Sequence, residues 1–190
     1  MIPPPTRPPI RYTPAQWAEF LRRLRAGYDA LGRGERAALC VTSADRLRTT
    51  GEAWALLTRV FRPEIEAGTL TDRELGLLIV PLWLFPFAAN APRDESAFRT
   101  GAWLRNVFGR DRGAEYLRRL LDAHTLPALL AVLSAVLRGA GRTASVAWDT
   151  LGAELVFWQF TNAPQKIVRE GWARDFYFHD ARIPSPASET

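Results

Sequence analysis

One cysteine, two histidines and one lysine are all that this chain has of each type. A lone Cys40 excludes an internal disulfide, which suits a reducing, cytoplasmic setting. It sits in the run ALCVT and reads as buried. His124 and His179 with that one thiol do not make a zinc set. The glycine pairs Gly32/Gly34 and Gly139/Gly141 lack the Lys-Ser/Thr that follows a phosphate loop, and no G-x-S-x-G occurs. The longest apolar run, Leu75 to Ala89, is interrupted by Pro81 and Pro86 and is too short to span a bilayer. No charged–apolar–cleavage-site pattern opens the chain, so no secretory signal is expected. Valine and isoleucine are scattered without alternation, so no strand is expected. The acidic pairs Asp149/Glu154 and Glu170/Asp175 are five apart and do not stack on one helix face as metal-binding carboxylates would; they read as surface and capping groups. No catalytic constellation is expected, and no cofactor or metal.

What is present is helical periodicity and arginine. The 190 residues carry 25 Lys+Arg against 20 Asp+Glu, a net charge of +5, and apolar residues make up 47%. That size is enough for one domain with a real core. Apart from Lys166 the basic residues are arginines, which suit bidentate phosphate contacts and stacking on bases.

Residues 1–12 (MIPPPTRPPIRY) read as an extended proline-rich arm. Thr13, Pro14 and Gln16 open a first helix whose stripe is Trp17, Phe20, Leu21, Leu24, Tyr28 and Leu31, with Arg22, Arg23 and Arg25 off that stripe, facing solvent or a ligand. A short helix (ERAALCV), the link TSADRLRTT with Arg46 and Arg48, and a helix from Ala53 to Phe61 stopped by Pro63 follow. Thr71 and Glu74 form a capping-box pattern that opens an apolar central helix kinked or ended by Pro81, and 88–96 reads as a loop. Helices 96–108 and 114–124 flank a turn at 109–113. Thr125 and Pro127 start a leucine-rich helix. The last pair comprises a helix with Trp148, Leu151, Leu155 and Trp158 on one face, then one capped by Asn162. Its stripe is Ile167, Val168, Trp172 and Phe176, with Lys166, Arg169 and Arg174 turned away. The expectation is an all-α protein, eight or nine helices in one or two small bundles joined by a linker: residues 13–95, then 96–179, with a disordered tail at 180–190.

Arginine density marks the candidate binding residues. Arg105, Arg110, Arg112, Arg118 and Arg119 lie within fifteen residues around one junction, diluted by Asp111 and Glu115, and Arg138 and Arg142 sit at the tip of the leucine-rich helix. Arg22, Arg23, Arg25, Arg105, Arg112, Arg118, Arg119, Arg138 and Arg142 are the expected nucleic-acid contacts. A helical protein–protein adaptor, its arginines serving solubility alone, is the alternative.

The C-terminal segment VAWDTLGAELVFW, followed by VREGWARDFY, resembles the end of the small subunit of the type I-E CRISPR Cascade complex, the CasB family. The matching positions are Val146, Trp148, Leu151, Leu155, Trp158, Trp172, Ala173, Asp175 and Phe176. The order of features extends the resemblance across residues 17–178. The resemblance implies an all-helical, non-catalytic subunit present as a second copy beside itself. It would contact the large and backbone subunits, the guide RNA and the target DNA, and help to hold the displaced single strand. Cleavage belongs to a separate recruited helicase–nuclease. Two places depart from the family's pattern: Cys40 and Val41 in one, and Ser134 and Ala135 in the other, stand where arginines are frequent.

Overall fold

Capping and periodicity decide where the helices begin. Thr13 accepts from the Gln16 backbone N–H while the Gln16 side chain accepts from the Thr13 N–H, so two otherwise orphaned groups are satisfied at the start of α1 (Pro14–Asp29). Glu35 reaches back to the Gly32 N–H at 2.9 Å to open α2 (Arg33–Leu39), and Ser43 caps α3 (Ala44–Arg48). There follow α4 (Gly51–Val60), α5 (Arg62–Glu66), α6 (Asp72–Leu77), α7 (Ile79–Leu84) with a 3-10 turn at Phe85–Ala88, α8 (Thr100–Leu121), α9 (Leu126–Ala140), α10 (Trp148–Trp158) and α11 (Ala163–Tyr177). The structure is a computed structural model and describes residues 11–40, 43–88, 99–140, 147–160 and 163–178. Within them the fold is all-α with no strand, as the periodicity predicts.

The helices number more than the eight or nine expected because short segments that read as connections coil. The link TSADRLRTT holds α3, and α4 ends before Pro63 as expected, but Pro63 also falls in the first turn of a further helix, α5, where its missing N–H is harmless. In the opposite sense, the expected turn at 109–113 shrinks to one residue. Gly109, at φ 73° and ψ −177°, kinks α8, and helix resumes directly after it. The arm at 1–10, most of the loop at 88–96, the Asn162 cap, Arg142 and the tail lie outside the described residues.

α7 is the centre. All six of its residues are buried, and α10, α3 and α6 pack around it. α1 lies along α10, and α8 lies along α11 and α9. The buried residues form one contiguous cluster running from Trp17 to Phe176. Each fully buried leucine or aromatic in it stabilises the fold by about 1.5–3 kcal/mol relative to exposure.

Three expectations about individual side chains are corrected. Cys40 is exposed because it caps the C-terminal end of α2, beyond Leu39, the residue that points inward. Ile167 is 66% exposed; the α11 stripe runs through Val168, Trp172 and Phe176 at four-residue steps, and Ile167 lies to one side of it. Arg169 turns inward, its guanidinium 4.8 Å from the Trp158 ring centre and donating to the Ala123 carbonyl at 2.6 Å.

The α8–α11 crossing is close enough to require glycine. A Cβ on Gly101 would lie 2.1 Å from the Trp172 carbonyl oxygen and 2.8 Å from the Phe176 nitrogen, and backbone cannot yield as a side chain can. Gly101→Ala is therefore expected to lower stability by about 3 kcal/mol. Gly109→Ala, which strains a φ/ψ region open essentially to glycine alone, should cost about 1–3 kcal/mol. Urea midpoints of the two variants against the parent chain check both.

Candidate nucleic-acid interface

The arginines of α1 are tied into ion pairs. Arg22 is exposed but pairs with Glu19 one turn back and with Asp149 of α10 at 3.2 Å. Arg23 is half-buried. It grips Glu64 of α5 through both terminal nitrogens, donates to the Val60 carbonyl at 3.1 Å and lies 5.2 Å from the Phe61 ring centre. The hydrogen bond between them raises the Arg23 pKa above its usual value and holds the Glu64 carboxyl below its own. Arg25 donates from Nε to both Asp29 carboxylate oxygens, at 3.0 and 3.1 Å, and packs on Phe85. Arg23 and Arg25, expected to face solvent or a ligand, thus bind α1 to its neighbours and to its own next turn.

The arginines of α8 and α9 are placed differently. Arg112 is exposed and stacks over the Phe108 and Tyr116 rings, 5.5 and 5.6 Å from their centres, while donating to the Tyr116 hydroxyl at 3.2 Å. Arg118 is exposed, with no carboxylate within ion-pair distance among the described residues. Arg119 pairs with Glu115 one turn earlier on the same helix. Arg138 is exposed and donates to the Ser134 hydroxyl at 3.4 Å, again with no carboxylate in ion-pair range among the described residues. Gly139, next to it, sits 3.8 Å from both Phe108 and Tyr116 when measured from its would-be Cβ, so the last turn of α9 lies against that ring pair. Arg112 thus lies on one partly exposed aromatic pair, and the α9 turn that carries Arg138 packs beside it. Arg105 precedes the kink and packs its guanidinium 5.8 Å from the Phe176 ring centre.

Behind this face lies a polar group that the spacing of acidic residues did not reveal. The Glu154 carboxyl of α10 accepts from the Thr100 hydroxyl at 2.6 Å and from the Trp172 indole N–H at 2.7 Å, joining α8, α10 and α11 in the interior. A surface role was expected for it. Its signal was its register: Glu154 falls inside the Leu151–Leu155–Trp158 stripe. Burial pushes its pKa up to about 7, opposed by the two hydrogen bonds and reinforced by the nearby Asp175. Among the described residues no three His, Cys, Asp or Glu side chains cluster to hold a metal ion, and no helix is long and apolar enough to cross a membrane.

These features define an all-α protein that carries arginine on its outer faces. Comparison with protein families specifies it. The model of the family described as CRISPR-associated protein Cse2 matches residues 35–177, well over half of the chain. The chain belongs to the Cse2 family, the CasB-type small subunits of type I-E Cascade, and hence to a CRISPR assembly with other subunits. No curated protein and no solved structure matches it. The match begins within α2, so α8 and α9 fall inside it and the α1 arginines outside.

The Glu154 site has a pH signature. A carboxyl whose folded-state pKa lies above its ordinary 4.5 binds its proton more tightly folded than unfolded, so it withdraws stability as pH rises from about 4.5 to about 7 and has no further effect beyond. Glu154→Gln can still accept both hydrogen bonds and does not ionise. The variant should flatten the pH dependence across that window and exceed the parent chain at pH 8 by about 2–3 kcal/mol, as read from urea midpoints at a series of pH values.

Proposed function

We propose that this Cascade subunit is non-catalytic, binds nucleic acid without reading its sequence, and stabilises the R-loop by holding the displaced DNA strand for defence against foreign DNA. Guide RNA, target DNA, the large and backbone subunits and a second copy of the chain are its partners in that reading. The observation that carries it is the group of exposed arginines on α8 and α9, Arg112, Arg118 and Arg138. Among the described residues they have no carboxylate to displace, and Arg112 lies on the Phe108–Tyr116 rings. Guanidinium groups neutralise phosphates, and partly exposed rings offer bases a stacking surface, with no need for a hydrogen-bond code. In an RNA-guided complex base pairing reads the sequence, so charge and shape suffice for the protein. Within the arginine set, those of α1 are weaker contacts in this reading, because a phosphate would compete with Glu19, Glu64, Asp29 and Asp149.

A second reading, a helical adaptor without direct nucleic-acid contact, is favoured by the exposed apolar side chains of α11 and its C-terminal end, Ile167, Tyr177 and Phe178.

Fluorescence anisotropy of a labelled single-stranded DNA, titrated with the full chain across a salt series, separates the two. The strand-holding reading expects affinity that falls steeply with salt. Changing Arg112, Arg118 and Arg138 together to Ala should lower the salt slope by about 0.7 for each phosphate that is no longer neutralised. Changing Arg22, Arg23 and Arg25 should have the smaller effect on that slope. Absence of binding at low salt would sink the strand-holding reading and leave the adaptor.

A further inference from the structure

Lined by none of the α8–α9 arginines named above, a groove of about 770 Å³ opens between α3, α4 and α6 on one side and the ends of α9, α10 and α11 on the other. Its volume falls in the range of small-molecule sites. Three kinds of group meet in it. The first is cationic: Arg48, steadied by Gln159 Oε1 at 3.1 Å, and Arg73, exposed and with no carboxylate within ion-pair distance among the described residues. The second is electropositive backbone. Thr125 and Leu126 at the start of α9 and Gln165 in the first turn of α11 line the groove, so two long helices turn their N-termini toward it. The third is aromatic. Trp54 is partly exposed there, its indole N–H already donated to the Arg48 carbonyl at 2.8 Å, so the ring is fixed in place and its faces are what remain to a ligand. Trp158 also lines the groove; it is 2% exposed, and its indole N–H has no acceptor among the described residues. Asp72, the one acidic lining residue among those described, is in the first turn of α6, where a carboxylate complements its own helix.

We propose that this groove is a second, separate nucleotide site, in which one unpaired nucleotide of a single strand stacks its base on Trp54 and sets its phosphate between Arg48 and Arg73 in the field of the α9 and α11 N-termini. A nucleotide joins an anion to a flat ring within one unit, and the groove presents the complement of both within one cavity. An acidic peptide would use the cations but would leave the face of Trp54 without a matched partner. The proposal rests on the strand-binding reading above only in needing a single strand as ligand; its residues are different ones.

The test is photo-cross-linking of the full chain to an oligothymidine strand carrying 5-iodouracil, with the modified peptides mapped by mass spectrometry. An adduct is expected on the peptide that contains Trp54. Arg73→Glu, a surface change that leaves folding intact, should reduce it about tenfold, and Trp54→Leu should abolish it. The Arg112, Arg118 and Arg138 triple Ala variant should keep the Trp54 adduct. Adducts confined to α8 and α9 would overturn the groove site and leave strand holding intact. A Trp54 adduct insensitive to Arg73→Glu would overturn the phosphate assignment. In the assembled complex, a neighbouring subunit's peptide seated at Trp54 in place of the strand would also overturn the proposal and give the groove to a protein partner. No adduct anywhere, with no anisotropy change, would remove both readings together.

Discussion

The contact on which the rest of the molecule depends is the crossing of α8 over α11. It is a backbone-to-backbone approach, possible only because residue 101 has no side chain. With the two helices this close, Trp172 is driven under α8 to 1% exposure, and its indole N–H needs an acceptor in the interior. Glu154 provides it, and the same oxygen also takes the Thr100 hydroxyl from the first residue of α8. Close packing therefore created the demand for a buried polar group, and the group then pins three helices in one register. An apolar residue at position 154 would leave two donors buried and unpaired, which is costlier than the loss of any single hydrogen bond suggests. The shifted pKa follows from this arrangement: the carboxyl is kept for its acceptor geometry, and its charge is what burial opposes.

The position of the basic face follows from the same seam. α8 is held to α11 on both sides of Gly109, through Gly101 before the kink and through Gly113, whose would-be Cβ meets Phe176, after it. Past the kink, Arg112 and Tyr116 share a face one turn apart, and Tyr116, with Phe108 from before the kink, meets the last turn of α9. A pre-stacked arginine has already given up much of its rotamer freedom, so less entropy remains to be lost when a phosphate arrives.

Hydrophobic period and caps made the fold legible: the stripes of α1, α9 and α10 and the boxes at Thr13 and Thr71 lie where the spacing puts them. Polar partners were not legible, for a physical reason. Arg23 and Glu64 are 41 residues apart, and Glu154 and Trp172 are 18 apart on different helices. No local pattern encodes a pair that only tertiary packing assembles. Arg169 illustrates the limit: helical spacing fixes its direction only within the half-circle beside the Trp172 stripe, and the open Ala123 carbonyl and the face of Trp158 decide that it points inward. Arginine density marks the basic segments along the chain but does not separate the side chains tied to carboxylates from those left open.

In the strand-holding reading proposed above, that separation decides which arginines would meet a phosphate. A paired arginine is a poor ligand for a passing phosphate, because the phosphate must first displace a carboxylate. An unpaired arginine stacked on a ring binds without that loss and tolerates any base, since every base has a π-face. A guanidinium without a carboxylate partner and a neighbouring ring occur together on α8, at Arg112, whereas the α1 arginines have carboxylates in reach. The chain's near-exclusive use of arginine serves both purposes at once. The planar fork that makes Arg23 a good internal clamp is the same chemistry that suits Arg112 to phosphate and base, and which of the two it does is decided by whether the fold brings a carboxylate within reach.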